Sequence, residues 1–244
     1  MNLCLKQNTK TVVAFAIVLS TMLGFAAATP DHAIPGCKGR AVYKVAFHNL
    51  LTAKNFGSLI PRGGLVYSPL AGVSHSNRIS LFTIRGFASK AVELIAEQGV
   101  NSLFIRKAKF IRWKTGEVRS VVDAGAPTMP GTATVLRLSV DCRNPSLTVI
   151  GMIAPSPDWI VQINNFLTYD LSDGEFIKYA AGDLIAYDSG VDDGNQFTPP
   201  ANLSLDIPTV PQKNIAPLVE DDTDRFEGRV VGRYTIRRIY YRKH

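Results

Sequence analysis

Residues 147–163 read LTVIGMIAPSPDWIVQI and contain two apolar runs separated by a proline-rich bend. The runs at 147–153 and 159–163 are rich in β-branched residues, which favours two strands. The two prolines restrict the chain between the runs to extended conformations, so we expect a bend at a strand end. Asp158 then lies at the tip of the fold, and Trp159 returns the chain to the core.

The rest of the chain likewise alternates between short apolar runs and turn residues. Residues 88–98 have the apolar spacing of a helix, and Gly99 fits its C-cap. These patterns predict an all-β fold, an antiparallel β-sandwich of about eight strands with one short helix. Further strands are predicted at residues 40–50, 102–113, 117–122, 133–142, 175–187 and 232–241, and shorter apolar runs at 65–67 and 79–84.

The composition is that of a folded globular chain. It has 244 residues, 46% of them hydrophobic and 19% charged, with a net charge of +7. These values exclude a disordered, collagenous or coiled-coil protein, and the length suits one domain of moderate size.

The first 28 residues have the parts of a secretory signal peptide. A polar start with Lys6 and Lys10 precedes an apolar run, and Ala26 and Ala28 supply the small residues of a cleavage site. The run of about 15 residues is shorter than a bilayer span, although an uncleaved membrane anchor is the alternative. Cleavage removes both lysines, which lowers the net charge to +5. We therefore expect a secreted, extracellular chain with no transmembrane segment.

The cysteine count fits an oxidising compartment. Cys4 leaves with the signal peptide, and the two cysteines that remain, Cys37 and Cys142, are predicted to form a disulfide. Asn202 begins the sequence Asn-Leu-Ser and is the candidate glycosylation site, whereas Asn144 is followed by proline.

Acidic residues concentrate in two segments that we expect to meet at one end of the sandwich. Asp158 lies in PSPDW, and Asp188 and Asp192 lie in YDSGVDDG. Ca²⁺ prefers six to eight oxygen ligands, and these three aspartates are candidate metal ligands. The alternative is that YDSGVDDG is only a hairpin turn rich in aspartate and glycine.

Several ordered motifs resemble the spondin domain of the F-spondin and mindin type. IAPSPDWIV, YDSGVDDG and FTPPANLSLDIPTVP follow one another as in that family, and upstream YSPLAGVSHS, GFAS and AEQG match further landmarks. The resemblance covers residues 40–215 and implies a single-domain secreted member, with a domain at 37–244 whose last part, 216–244, is an extension. It also implies that Asp158, Asp188 and Asp192 hold one Ca²⁺.

Two classes of function are open. The first is a secreted Ca²⁺-binding adhesion, extracellular-matrix or surface-recognition module, whose partner is an extracellular protein, a glycan or a cell or microbial surface. The second is a secreted metal-dependent hydrolase, but we expect no enzyme because the sequence offers no activated nucleophile or paired base.

We expect His75 to make a buried structural hydrogen bond. We expect no nucleic-acid partner for the domain. The basic run 237–244 is interpreted as a solvated terminal strand, and the alternative is a glycan-binding or nucleic-acid-binding patch.

Overall fold

The structure is a computed structural model that describes residues 33–192, 194, 196–197, 212–220 and 224–243. The predicted signal peptide at 1–28 and the candidate glycosylation site Asn202 lie outside the described residues. All described residues belong to one compact unit. No helix within them is long and apolar enough to cross a bilayer.

Strands dominate the part of the chain that is described, and every pairing between them is antiparallel. In chain order they are β1 (Arg40–Asn49), β2 (Val66–Tyr67), β3 (Ala71–His75), β4 (Val118–Asp123), β5 (Ala133–Asp141), β6 (Ser146–Ala154), β7 (Trp159–Leu167), β8 (Tyr169–Asp170), β9 (Glu175–Phe176), β10 (Tyr179–Leu184), β11 (Tyr187–Asp188), β12 (Ala216–Pro217) and β13 (Gly232–Arg242).

Two sheets form the body of the fold. One has the strand order β10-β13-β1-β5, and the other has the order β12-β11-β7-β6-β3-β4, with β2 paired to β6. Strands β8 and β9 form a separate two-stranded sheet. The predicted all-β antiparallel class is confirmed.

The main core lies between the two sheets. Tyr43, Val45 and Phe47, at alternate positions of β1, are all fully buried there. They share this core with residues of β6 and β7, among them Leu147 and Trp159. The alternation in β1 therefore reflects a strand with one face on the core.

Three α-helices are described, where one was predicted. They are α1 (Ala53–Phe56), α2 (Lys90–Gln98) and α3 (Ser102–Thr115). The predicted helix corresponds to α2, and Gly99 ends it in a left-handed conformation as expected. Residues of α2 and α3 pack in a second apolar cluster, which also contains Ile150 and Ile160 of the larger sheet.

The predicted strand at residues 102–113 is wrong, because these residues form α3. Phe104 and Ala108, four positions apart, are the side chains that the helix buries. The helix-forming arginine, lysine and alanine residues between the apolar positions outweigh the short run Leu103-Phe104-Ile105, which suggested a strand.

The predicted disulfide between Cys37 and Cys142 is confirmed. The two Cα atoms lie 5.6 Å apart, and the bond joins positions separated by 105 residues. The backbone N–H of Ile34 also donates to the carbonyl oxygen of Cys142 at 2.9 Å. The N-terminal described segment is therefore held against the end of β5.

The C-terminal basic segment is a sheet strand, β13, between β1 and β10. Its pairing with β1 shifts between Val42 and Tyr43, where Tyr240 and Arg238 are the successive partners. This bulge leaves Ile239 without a partner on β1 and exposed, and it interrupts the alternation of side chains between the two faces of β13.

Candidate functional site

Strand pairing brings the two acidic segments together. Trp159 at the start of β7 pairs with Asp188 of β11, and Ile160 pairs with Tyr187. The backbone N–H of Ser189 donates to the carbonyl oxygen of Asp158 at 3.3 Å. Segments 30 residues apart in the chain thus meet at one end of the larger sheet, as the sequence predicted.

Asp158 is fully buried and holds the second acidic segment by hydrogen bonds. Its Oδ2 atom accepts from the Ser189 hydroxyl at 2.9 Å, from the Val191 N–H at 2.9 Å and from the Asp192 N–H at 3.2 Å. Its Oδ1 atom is buried and has no hydrogen-bond partner among the described residues. Oδ2 therefore holds the loop by hydrogen bonds, whereas Oδ1 remains available to bind a ligand.

The electrostatics of Asp158 favour a nearby cation. Burial, followed by the negative charge of Asp188, raises the pKa of the Asp158 carboxyl to about 7, although its hydrogen bonds oppose the shift. Desolvation penalises the charged form of a carboxyl, and a neighbouring carboxylate adds to the penalty. A cation placed between the two groups would relieve both effects.

Two glycines hold the second acidic segment close to its surroundings. Gly190 has a φ of +76°, and a Cβ atom there would lie 2.3 Å from the carbonyl oxygen of Lys213. A Cβ on Gly194 would lie 2.7 Å from the Cγ atom of Pro157. The N–H of Gly190 donates to the Oδ1 atom of Asp188 at 2.6 Å, and that of Gly194 donates to Asp192 at 2.7 Å. The glycine positions are thus required by close approach as well as by the turn.

The three predicted site residues lie near one another, but they interact in different ways. Asp158 and Asp188 interact electrostatically, while Asp192 is placed beside Asp158 through its backbone N–H. Among the described residues, no group of three or more histidine, cysteine, aspartate or glutamate side chains is arranged to hold a metal ion. The three-carboxylate Ca²⁺ site therefore stays a prediction.

A fourth carboxylate near the site, Glu97, was not identified from the sequence. It lies in the last turn of α2, where burial and then the charge of Glu93 raise its pKa to about 7. The charge of Asp192 raises this pKa further, whereas Lys90 lowers it. Glu97 is part of the AEQG motif, so the motif could have indicated this residue. The proximity of Glu97 to Asp192, however, depends on tertiary packing.

An aromatic cluster supports the bend that carries Asp158. Trp159 is fully buried, and its ring lies edge-on to the rings of Phe197 and Phe226, each with its centroid 5.5 Å away. Phe197 and Phe226 also contact each other at 5.9 Å. Because Trp159 directly follows Asp158, this packing fixes the backbone on one side of the carboxylate.

His75 makes the buried structural hydrogen bonds that were expected. Its Nδ1 atom lies 2.7 Å from the carbonyl oxygen of Ser76, and its Nε2 atom lies 2.9 Å from the hydroxyl of Thr148. Because a carbonyl can only accept, Nδ1 carries the proton in the neutral ring. Nε2 then competes with Oδ1 of Asn164, which lies 3.2 Å from the same hydroxyl, for the proton of Thr148. Burial lowers the pKa of the imidazole, which favours this neutral form.

Comparison with known proteins identifies the family. The Spondin_N family model matches residues 41–226, which is most of the chain. The chain belongs to the spondin family. The match extends from the first residues of β1 to Phe226, so it includes both acidic segments and the aromatic residues packed beside them.

Individual spondins align over much of this chain. Spondin-1 of Gallus gallus is 31% identical over 192 residues, which is 75% of this chain and 23% of that protein. Spondin-2 of Homo sapiens is 28% identical over 207 residues, which is 82% of this chain and 59% of that protein. The chain therefore corresponds to about a quarter of the length of the spondin-1 relatives and to over half of spondin-2.

Proposed function

We propose that this spondin-family chain is a secreted adhesion module that binds one Ca²⁺ at the end of its larger sheet and recognises an extracellular surface. The single observation that carries the metal part is the buried carboxylate of Asp158, whose Oδ1 atom has no partner among the described residues. Family membership and the disulfide between Cys37 and Cys142 support an extracellular role.

The residues at this end suit a hard divalent cation. Oδ1 of Asp158 is the first ligand in the proposal, and the carboxylates of Asp188 and Asp192 are the other two. Carboxylate and carbonyl oxygens are the ligands that Ca²⁺ prefers, and it completes its coordination with water. The bound ion supplies positive charge, which offsets the repulsion between the carboxylates and can attract an acidic group of a partner.

The chain's own residues hold this site in shape without the ion. The three hydrogen bonds to Oδ2 of Asp158 hold the hydroxyl of Ser189 and the backbone of Val191 and Asp192. The backbone N–H of Lys213 also donates to the carbonyl oxygen of Gly190 at 2.7 Å, which ties the turn to the neighbouring segment. Oδ1 of Asp158 is therefore presented in a preformed loop, and little ordering entropy opposes ion binding.

A binding role is proposed rather than a catalytic one. His75, the histidine of the YSPLAGVSHS motif, is buried and has both ring nitrogens engaged by Ser76 and Thr148. A general base must reach a substrate or water in the site, and this ring is committed to structural contacts. Activity against a panel of esters and phosphodiesters that is lost in Asp188→Asn would contradict this part of the proposal.

Thermal unfolding with Ca²⁺ and with EDTA tests the metal site. At a hundredfold excess of Ca²⁺ over its Kd, binding stabilises the fold by about 2.7 kcal/mol, which raises the Tm by about 5–10 °C for a chain of this size. Asp188→Asn is expected to remove most of this shift. Asp173→Asn is the matched control, because Asp173 is an exposed carboxylate in the turn between β8 and β9.

The same preparations test recognition. Wild type is expected to be retained on immobilised extracellular-matrix extract in Ca²⁺ and released by EDTA, and Asp188→Asn is expected to bind weakly in both buffers. If Ca²⁺ leaves the Tm unchanged, the proposed Ca²⁺ site is wrong and YDSGVDDG is only a turn. A normal Tm shift with EDTA-resistant retention would keep the ion as a structural element and place the adhesive surface elsewhere.

A further inference from the structure

Helix α3 presents two large aromatic side chains to solvent. Trp113 is 80% exposed and Phe110 is 54% exposed, and their ring centroids lie 5.8 Å apart. The opposite side of the helix is committed to the core through Phe104 and Ala108, which are 4% and 1% exposed. The pair is therefore held outward by the packing of the helix and lies outside both apolar clusters formed by the described residues.

The outward face of α3 also carries a cluster of positive charges. Arg106, Lys109, Phe110 and Trp113 follow the i, i+3, i+4, i+7 spacing that places side chains on one helix face. Lys114 lies over the Phe110 ring, with its Nζ atom 5.8 Å from the ring centroid. Cations thus lie at the edge of the aromatic pair and along the same face.

The positive charge of the helix is uncompensated. Ser102–Thr115 contains no acidic residue, and none of its basic side chains forms an ion pair with an acid among the described residues. Arg143 adds a further cation at the C-terminal end, where its Nη2 atom donates to the carbonyl oxygen of Thr115 at 2.8 Å. The basic residues of the helix are Arg106, Lys107, Lys109, Arg112 and Lys114.

We propose that this face of α3, defined by Arg106, Lys109, Phe110, Trp113 and Lys114, docks onto an anionic lipid surface. Exposed tryptophan and phenylalanine partition into the interface between lipid headgroups and acyl chains, while lysine and arginine reach the phosphates. Charge complementarity selects an anionic surface, because each basic residue near such a surface contributes to binding. This proposal is independent of the Ca²⁺ site.

A lipid surface accounts for more of the observations than an acidic glycan does. A sulfated glycan would engage the cations but leaves the 80% exposed indole of Trp113 without an apolar partner. A helix with aromatic anchors and flanking cations satisfies both kinds of group at once when it lies in the interfacial plane of a membrane. The glycan is therefore treated as an outcome of the test.

The test measures binding of the full secreted chain to vesicles of phosphatidylcholine alone and of phosphatidylcholine mixed with phosphatidylserine. Trp113 and Trp159 are the two tryptophans of the sequence, and Trp159 is fully buried. A blue shift of tryptophan emission on the mixed vesicles therefore reports on Trp113. We expect this shift and co-sedimentation with the mixed vesicles, and neither effect with phosphatidylcholine alone.

Two sets of variants separate the aromatic and charge contributions. Phe110→Ala combined with Trp113→Ala is expected to weaken partitioning at least about tenfold, because two apolar anchors are lost. Replacing Arg106, Lys109 and Lys114, the basic residues of this face, by glutamine is expected to weaken it about a hundredfold, from about fivefold per charge.

A matched control removes the same charge from other surfaces. Lys44, Lys54 and Lys178 are exposed and lie outside α3, so their replacement by glutamine should change binding much less than the triple change on α3. Only variants whose Tm matches that of wild type are compared, so that a loss of binding cannot come from unfolding.

Three results would overturn the proposal. The first is no binding to the mixed vesicles. The second is binding that survives loss of both aromatic side chains, which would indicate general electrostatic attraction. The third is retention on heparin that depends on the α3 lysines without any vesicle binding, which would assign this face to a sulfated glycan.

Discussion

Removing the disulfide between Cys37 and Cys142 should cost this fold a large part of its stability. The bond closes a loop of 105 residues. In the chain-entropy description, cross-linking residues this far apart destabilises the unfolded chain by about 5 kcal/mol. Folded domains have net stabilities of roughly 5–15 kcal/mol, so this one bond is a substantial fraction of the total.

The magnitude sets the expected change in Tm. The unfolding entropy is about 2 cal/mol/K per residue, so 5 kcal/mol corresponds to a loss of about 12 °C for a domain of about 200 residues. The variant is Cys37→Ser with Cys142→Ser, which avoids leaving a single reactive thiol. Both cysteines are only partly buried at the edge of the core, so the change in side-chain packing itself is small.

Thermal unfolding followed by circular dichroism, with and without dithiothreitol, is the assay. Wild type in reductant is expected to match the double variant, and the double variant is expected to be insensitive to reductant. A Tm loss of under about 3 °C would refute the reasoning, because it would mean that the unfolded chain gains little freedom from the broken bond.

Two further predictions concern single side chains. Gly190→Ala should destabilise the fold by roughly 3 kcal/mol or more, whereas the control Gly36→Ala should cost about 1 kcal/mol. Both glycines have φ near +75°, but only at Gly190 would the added Cβ meet a backbone atom. Equal losses of stability in urea unfolding would contradict this. Burial lowers the pKa of His75, so its contribution to stability is lost as the pH falls below about 6.5. His75→Gln should flatten this dependence relative to wild type, and unchanged slopes would disprove it.

The parts of the fold that could be predicted are those with a strong local signal. Tyr43, Val45 and Phe47 alternate with more exposed residues, and β1 follows directly from this pattern. Helix α2 has regular apolar spacing and a glycine cap at Gly99. The proline bend before Trp159 likewise indicated that the acidic tip lies at a strand end.

Elements whose stability depends on distant partners could not be predicted. Strand β3 (Ala71–His75) was missed because all five residues are buried and several are small or polar, so no alternation exists. Its polar groups are satisfied from other strands, as when the Ser74 hydroxyl donates to the carbonyl oxygen of Ser139 at 2.6 Å. A Cβ on Gly72 would lie 2.8 Å from the Cδ1 atom of Leu136, so the opposite sheet packs closely against this position. None of these constraints is local.

The candidate site shows the same division. The motifs predicted the residue types and the meeting of the two acidic segments. They did not predict that the two carboxylate oxygens of Asp158 have different hydrogen-bond environments. That Oδ2 accepts three hydrogen bonds while Oδ1 has no partner among the described residues depends on the register between β7 and β11. The proximity of Glu97 depends on how α2 packs.

The position of β13 has a consequence for how the chain is made. Strand β1, the first of the described strands, has β5 on one side and β13 on the other. On the secretory route proposed above, one edge of β1 stays open until β13, the last of the described strands, emerges, and open edges are templates for aggregation. Cys37 and Cys142 are available well before that moment, so oxidation can secure the β1–β5 pair while synthesis continues. Truncations that remove β13 should therefore be retained by the quality-control machinery of the secretory pathway rather than exported as shortened modules.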